Sequence, residues 1–284
     1  MASNRPDVVD LIGPEFDCEL AEPAPRTLII CAAPRTGSYE LARHLAAAGV
    51  GVPHEYFNPN YARRLAARWG LSEQPLSEET LPEYVEFLRL RRAQNGVFAT
   101  KLQFGQFERF LRNSVGATLF ENATFIHLYR PDAASQFGSL RAALESGRWD
   151  FSDRQTTTPS SYAHQEIQQL VAEALRQVDT LIAEDAGFRR LFILLGIKPV
   201  FATTDELSRN PETIVRRIGE LLATPLNEER LQDSLRSSAP YGRGEQARKA
   251  FEDLGRRFKE LAFEKDSETW LNSVERFVWP RSPD

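Results

Sequence analysis

Long apolar runs are missing from this chain. No stretch of its 284 residues approaches the roughly 18 to 20 consecutive apolar positions that span a bilayer, and the amino terminus, MASNRPDVVDLIG, lacks a charged leader followed by an apolar core. Both absences lead to the expectation of a cytoplasmic protein. Cysteine is scarce as well: Cys18 and Cys31 are the only two, and Cys31 sits inside the apolar run from Leu28 to Ala33, which predicts a buried thiol rather than a disulfide. The four histidines are scattered without metal-ligand spacing, so no metal site is expected. A basic surplus is lacking too. With 35 Lys and Arg against 40 Asp and Glu, the net charge of -5 argues against a nucleic-acid partner, because affinity for a phosphate backbone needs excess cations. A local basic pocket remains compatible with that charge. What the chain does have, 42% hydrophobic and 26% charged residues, suffices for a sizeable core in one large α/β domain or two small ones.

The first 26 residues, rich in Pro and acidic groups, read as an irregular arm, and residues 27–284 as one domain. Thr27 to Ala33 is a short apolar run suited to a buried parallel strand. The loop Pro34-Arg-Thr-Gly-Ser38 follows at once, and then Leu41, Leu45 and Ala48 recur at helical spacing up to a stop at Gly49. Tyr84, Phe87, Leu88 and Arg91 give 81–92 a helical pattern ahead of a second strand, Val97 to Leu102. A third, Thr124 to Tyr129, ends at Arg130-Pro-Asp, where Pro131 and Asp132 suit the start of a helix running toward Leu144. A long helix over about Ser161 to Ala186 precedes a fourth strand, Pro199 to Thr203. After Asn210-Pro211, the residues Ile214, Val215, Ile218, Leu221 and Leu222 make the stripe of another helix. Strands alternating with helices predict an α/β three-layer sandwich around a central, mainly parallel sheet. Residues 147–160 read as a polar loop or lid, and about 243–284 as a charge-rich, amphipathic helical segment whose apolar end docks on the core or on a second subunit.

A loop joining a buried strand to a helix aims several backbone N–H groups at one point, where the helix dipole adds positive charge. Gly37 admits close approach of an anion, Thr36 and Ser38 donate hydroxyl hydrogen bonds, and Arg35 adds a permanent charge with a fork of donors. The chain lacks G-x-x-x-x-G-K-[ST], and no Lys precedes Ser38, so this is not the ATPase loop. The alternative is a tight turn that caps a helix.

Ala33 to Ser38, then Pro53-His-Glu-Tyr-Phe57, Lys101-Leu102, and His127-Leu-Tyr-Arg-Pro-Asp132 with Ser135, Gln136 and Ser139, resemble in order and spacing the trehalose sulfotransferase family of bacterial carbohydrate sulfotransferases. The resemblance covers roughly residues 27–225. It implies that 3′-phosphoadenosine 5′-phosphosulfate is the sulfuryl donor, with no metal, and that a hydroxyl of a small carbohydrate or glycolipid is the acceptor. It implies further that Pro34, Arg35, Thr36, Gly37, Ser38 and Tyr39 form a P-loop-like cradle for the 5′-phosphosulfate, and that Arg130 with Ser135 or Ser139 holds the 3′-phosphate. Many sulfotransferases carry a small hydroxyl residue where Tyr39 stands. The general base is Glu55 by resemblance, with Tyr56 and Phe57 excluding water and raising its pKa, and Arg35 neutralises the leaving phosphate. His54 is the competing base, since imidazole needs less tuning at neutral pH. Lys101, at the end of a buried-type strand, either contacts donor or acceptor or is a paired structural lysine. The resemblance, together with Trp270, Leu271, Val274, Phe277, Val278 and Trp279 crowded at the carboxyl end, suggests a homodimer. Two other readings stand beside this one: a nucleotide-dependent phosphotransferase using ATP and Mg²⁺, and a catalytically silent binding or scaffolding member of the fold.

Overall fold

The computed structural model describes residues 11–133, 136, 137, 139, 140, 143 and 164–237, without the side chains of 164–175. Outside the described residues lie Ser135, the polar loop 147–160, and the segment 243–284 with the aromatic residues on which the dimer expectation rested.

Five strands form one sheet: β1 (Arg26–Cys31), β2 (Ala93–Gln94), β3 (Val97–Leu102), β4 (Ala123–Tyr129) and β5 (Val200–Thr203), in the order β2-β3-β1-β4-β5. All pairings are parallel except the short antiparallel β2–β3 contact. β1 is central and buried on both faces, which explains its unbroken apolar run. Its side chains alternate between two core clusters. Leu28 and Ile30 pack with α1 (Ser38–Ala48), α8 (Pro211–Leu221) and α9 (Glu228–Ser237). Ile29 and Cys31 pack with α2 (Pro59–Trp69), α3 (Leu81–Arg91), α4 (Phe104–Leu111), α5 (Ser114–Phe120) and α6 (His164–Leu195). One further short helix, α7 (Thr204–Arg209), follows β5. The sequence-based expectation of a three-layer α/β sandwich is met. Both cysteines are free, and Cys31 is buried.

The amino-terminal segment is irregular from Leu11 to Pro25, apart from one 3-10 turn over Pro14–Phe16, yet it is tightly held. Leu11 and Ile12 are fully buried, and the fully buried Arg92 at the end of α3 reaches the Leu11 and Gly13 carbonyls and the Asp17 carboxylate at 2.8 Å. Arg92 Nε also donates to the Tyr56 hydroxyl at 3.0 Å. A guanidinium can be buried this deeply only because its donors are matched by carbonyls, a hydroxyl and a carboxylate.

Strand order positions the site. After β1 the chain builds β3 on one side of it and β4 on the other, so the carboxyl end of β1 is the point where the sheet's winding reverses, the crevice in which open α/β sheets bind ligands.

Candidate active site

The loop after β1 occupies that crevice. Arg35 (φ 68°) and Gly37 (φ 86°) both take the left-handed conformation. For Gly37 this costs nothing, but for Arg35 it stores roughly 1–2 kcal/mol of strain, which the surroundings must hold in place. They do so at each step. Thr204 at the start of α7 donates to the Thr36 carbonyl at 2.9 Å, Gln136 donates to the Pro34 carbonyl at 2.7 Å, and Thr36 bonds back to the Ala33 carbonyl at 3.1 Å. Arg35 Nε donates to Ser139 Oγ at 2.9 Å, which ties the loop to the helical residues after β4. α1 begins at Ser38, and its N-cap Gly37 brings no capping side chain, so the first-turn amides at its positive end are not satisfied by a cap. Thr36 and Ser38 are buried, and Tyr39 follows in that first turn.

The segment Pro53 to Phe57 lies along the edge of β3 that β2 leaves uncovered. His54 pairs beside Thr100 as a single parallel bridge, and the Lys101 amide donates to the His54 carbonyl at 2.9 Å. His54 is buried, with its ring edge-on to Tyr61 at 4.4 Å and near Tyr39 at 6.5 Å, so the loop's tyrosine meets the segment's histidine. Glu55 points elsewhere: its Oε1 lies 2.6 Å from Lys101 Nζ, and Asn58 Nδ2 donates to Oε2 at 3.4 Å.

One expectation is overturned here. Tyr56 and Phe57 are core residues, and the Glu55 carboxyl is lowered rather than raised. The Tyr56 hydroxyl donates to the Val52 carbonyl at 2.5 Å, and the Phe57 ring packs edge-on to Phe110 at 4.6 Å. Burial does push the Glu55 carboxyl up, but the Lys101 charge and hydrogen bond outweigh it and hold the group below its ordinary value. Lys101 is thus paired, by a carboxylate that belongs to the same candidate site.

At the end of β4, Arg130 lines a cleft of about 240 Å³ together with Thr36, Gln136, Leu181, Asp185 and Arg189. No carboxylate among the described residues pairs with Arg130. Of the two candidate serines, Ser139 lies against Arg35, and Ser135 falls outside the described residues. The carboxyl ends of β1, β3 and β4 therefore bring together the loop, the Glu55–Lys101 pair and Arg130.

A second polar cluster escaped the sequence reading. Buried His127 of β4 lies 3.0 Å from Asp185, which also takes Arg189 Nε at 2.9 Å, and Arg189 stacks over Tyr129 at 4.4 Å. The i, i+4 spacing of Asp185 and Arg189 was a legible helix-face pair, but nothing local connects it to His127. Burial raises the Asp185 pKa, while hydrogen bonds from His127 and Arg189 outweigh it, so the net shift is downward. A carboxyl depressed on folding contributes stability above its unfolded pKa and loses it as pH falls toward the folded one. Asp185→Asn is therefore expected to lower the melting temperature by a few degrees near neutrality, and the gap to wild type should close as pH is taken below about 4. A gap that stays constant with pH would show that the carboxylate charge is immaterial.

Among the described residues, no group of three or more His, Cys, Asp or Glu could hold a metal, and no helix is long and apolar enough to cross a membrane. The sequence model of the family described as Stf0 sulphotransferase matches residues 27–239. No curated protein matches the chain. Among solved structures, a sulfotransferase from Alicyclobacillus acidocaldarius is similar at 14% identity and a TM-score of 0.44, covering 72% of this chain and 82% of that one. The sulfotransferase domain from the curacin biosynthetic pathway is similar at 16% identity and a TM-score of 0.44, covering 76% and 78%. The sulfotransferase domain from the Synechococcus PCC 7002 olefin synthase is similar at 16% identity and 0.43, covering 75% and 78%.

Proposed function

The chain belongs to the Stf0 sulphotransferase family and is a sulfotransferase, and from that premise we propose that it moves a sulfuryl group from 3′-phosphoadenosine 5′-phosphosulfate to a hydroxyl of a small carbohydrate or glycolipid, with Glu55 as general base. The observation that carries this reading is the meeting, at the carboxyl ends of three neighbouring strands, of a strained anion-type loop, two arginines and a carboxylate held by a lysine.

In this assignment the loop from Pro34 to Tyr39 takes the 5′-phosphosulfate, and Arg130, with Ser135 or Ser139, takes the 3′-phosphate. The acceptor oxygen attacks sulfur as the bond to the 5′-phosphate oxygen breaks, and adenosine 3′,5′-bisphosphate departs. Glu55 receives the acceptor's proton. Its low pKa keeps it ionised and ready at neutral pH, and Lys101 orients it. Once Glu55 is protonated, Lys101 loses its hydrogen-bonded counter-charge and is available, with Arg35, for the charge growing on the leaving phosphate. His54 is less suited to the role, since its ring is buried against Tyr61 and Tyr56.

Ligand-induced stabilisation tests the donor. At a hundredfold excess over Kd, a ligand bound only by the folded state adds about 2.7 kcal/mol, a shift of several degrees. Adenosine 3′,5′-bisphosphate should produce that shift and ATP with Mg²⁺ should not. The reverse result would favour a phosphotransferase, and no shift with either would favour a catalytically silent member of the fold.

A further inference from the structure

Glu184 has no part in the assignment above, yet it lies on the face of α6 that packs on the site's own framework. Leu181, Glu184, Asp185 and Phe188 follow at i, i+3, i+4 and i+7 and so share one helix face. Three of them dock on the site's own framework. Leu181 packs against Ala33 of the loop, Asp185 takes His127 of β4, and Phe188 meets the ring of Phe104, two residues past β3, at 5.4 Å. Gly187 lets the helix press this closely, since a Cβ there would fall 2.5 Å from the Phe104 ring. The face therefore packs on residues at the ends of β1, β3 and β4, and Lys101 is the cation among the described residues whose charge acts on Glu184.

The Oε2 of Glu184 is shielded from solvent and has no hydrogen-bond partner among the described residues. Folded proteins rarely leave such an acceptor unsatisfied, and a donor from a bound molecule is one way in which it is met. Burial raises its carboxyl above the ordinary value, with Lys101 pulling it partly back, the opposite net result from Glu55. Lys101 thus acts on two carboxyls, Glu55 and Glu184, whose surroundings shift them in opposite directions.

We propose that Glu184 is an acceptor-binding residue: it accepts a hydrogen bond from a second hydroxyl of a polyhydroxylated acceptor, while Glu55 takes the proton of the attacking one. This rests on the transferase reading. A monohydric acceptor has no second hydroxyl to donate to the Oε2, so the residue favours polyols.

The test compares wild type with Glu184→Gln, which keeps shape, and Glu184→Asp, which keeps charge but withdraws it. Donor turnover is followed with water as the only acceptor and with a panel of trehalose, glucose, maltose and glucosamine, using for kinetics whichever saccharide wild type turns over fastest. In the Gln variant the KM for that saccharide should rise about tenfold or more with kcat within about threefold, while the water reaction, the melting temperature and the affinity for adenosine 3′,5′-bisphosphate hold. The Asp variant should lie between. A KM within about twofold of wild type, or a parallel fall in the water reaction, would overturn the proposal. So would a wild type that turns over none of the saccharides. A wild type that fails to bind the bisphosphate would instead bring down the donor assignment itself.

Discussion

Glu55→Gln is expected to cut turnover by roughly 10² to 10⁴ without weakening the binding of adenosine 3′,5′-bisphosphate. Glutamine preserves the shape and the hydrogen-bonding reach of the side chain and removes its basicity together with the charge that pairs Lys101. His54→Asn should do far less. The pH dependence supplies an independent check, and its sign follows from the ion pair. A general base works deprotonated, so the rate falls as pH drops through its pKa. With Lys101 2.6 Å away holding the Glu55 carboxyl below its ordinary value, the acid limb of the wild-type profile should lie below about 4.3. Lys101→Met removes the charge and leaves the burial, so the limb should move upward, toward neutrality. If His54→Asn abolishes turnover and Glu55→Gln leaves it within a few-fold of wild type, the base is the imidazole. If Lys101→Met leaves the limb in place, the pair does not set the base's ionisation.

Arg130→Ala should weaken adenosine 3′,5′-bisphosphate roughly ten- to a hundredfold, the equivalent of the about 1.5–3 kcal/mol carried by a charge-assisted contact, and should scarcely alter adenosine 5′-phosphate. The two ligands differ only in the 3′-phosphate, so their ratio isolates the group that Arg130 is assigned to hold. No carboxylate among the described residues competes for this guanidinium, so its charge is available to an anion. Arg35→Ala, on the loop, should weaken both nucleotides together. Isothermal titration of the two ligands against both variants decides the matter: equal losses of the two nucleotides in Arg130→Ala would show that this residue does not hold the 3′-phosphate.

The boundary between what the sequence settles and what it leaves open runs along particular residues. The strand from Thr27, the loop from Pro34 to Ser38, the stop at Gly49 and the helix after Asn210-Pro211 were all legible, because each depends on neighbours a few positions away. A strand buried on both faces must be continuously apolar, a left-handed cap favours glycine, and proline starts helices but does not continue them. The order of motifs was legible for the same reason. The helices α2, α4, α5, α7 and α9 and the two-residue β2 were not read: α4, α5, α7 and β2 are short elements defined by what they pack on or pair with, and in α2 and α9 a few apolar positions stand among many charged and polar ones.

The chemistry of the site divides the same way. Sequence alone supplied Glu55, His54, Lys101 and Arg130 as candidates, and predicted from the flanking aromatic residues that the Glu55 carboxyl would be pushed up. Only the tertiary structure placed Lys101, 46 positions along the chain, against it and turned Tyr56 and Phe57 into the core. It alone joined His127 to Asp185 and Arg92 to Asp17, and shielded the Glu184 Oε2 with no partner among the described residues. The reason is physical. A group's ionisation is set by the difference between desolvation and the charges within a few ångströms of it, and those two effects have opposite signs and similar size. Residue types fix which groups can take part, but the distances that decide the sign exist only in the fold.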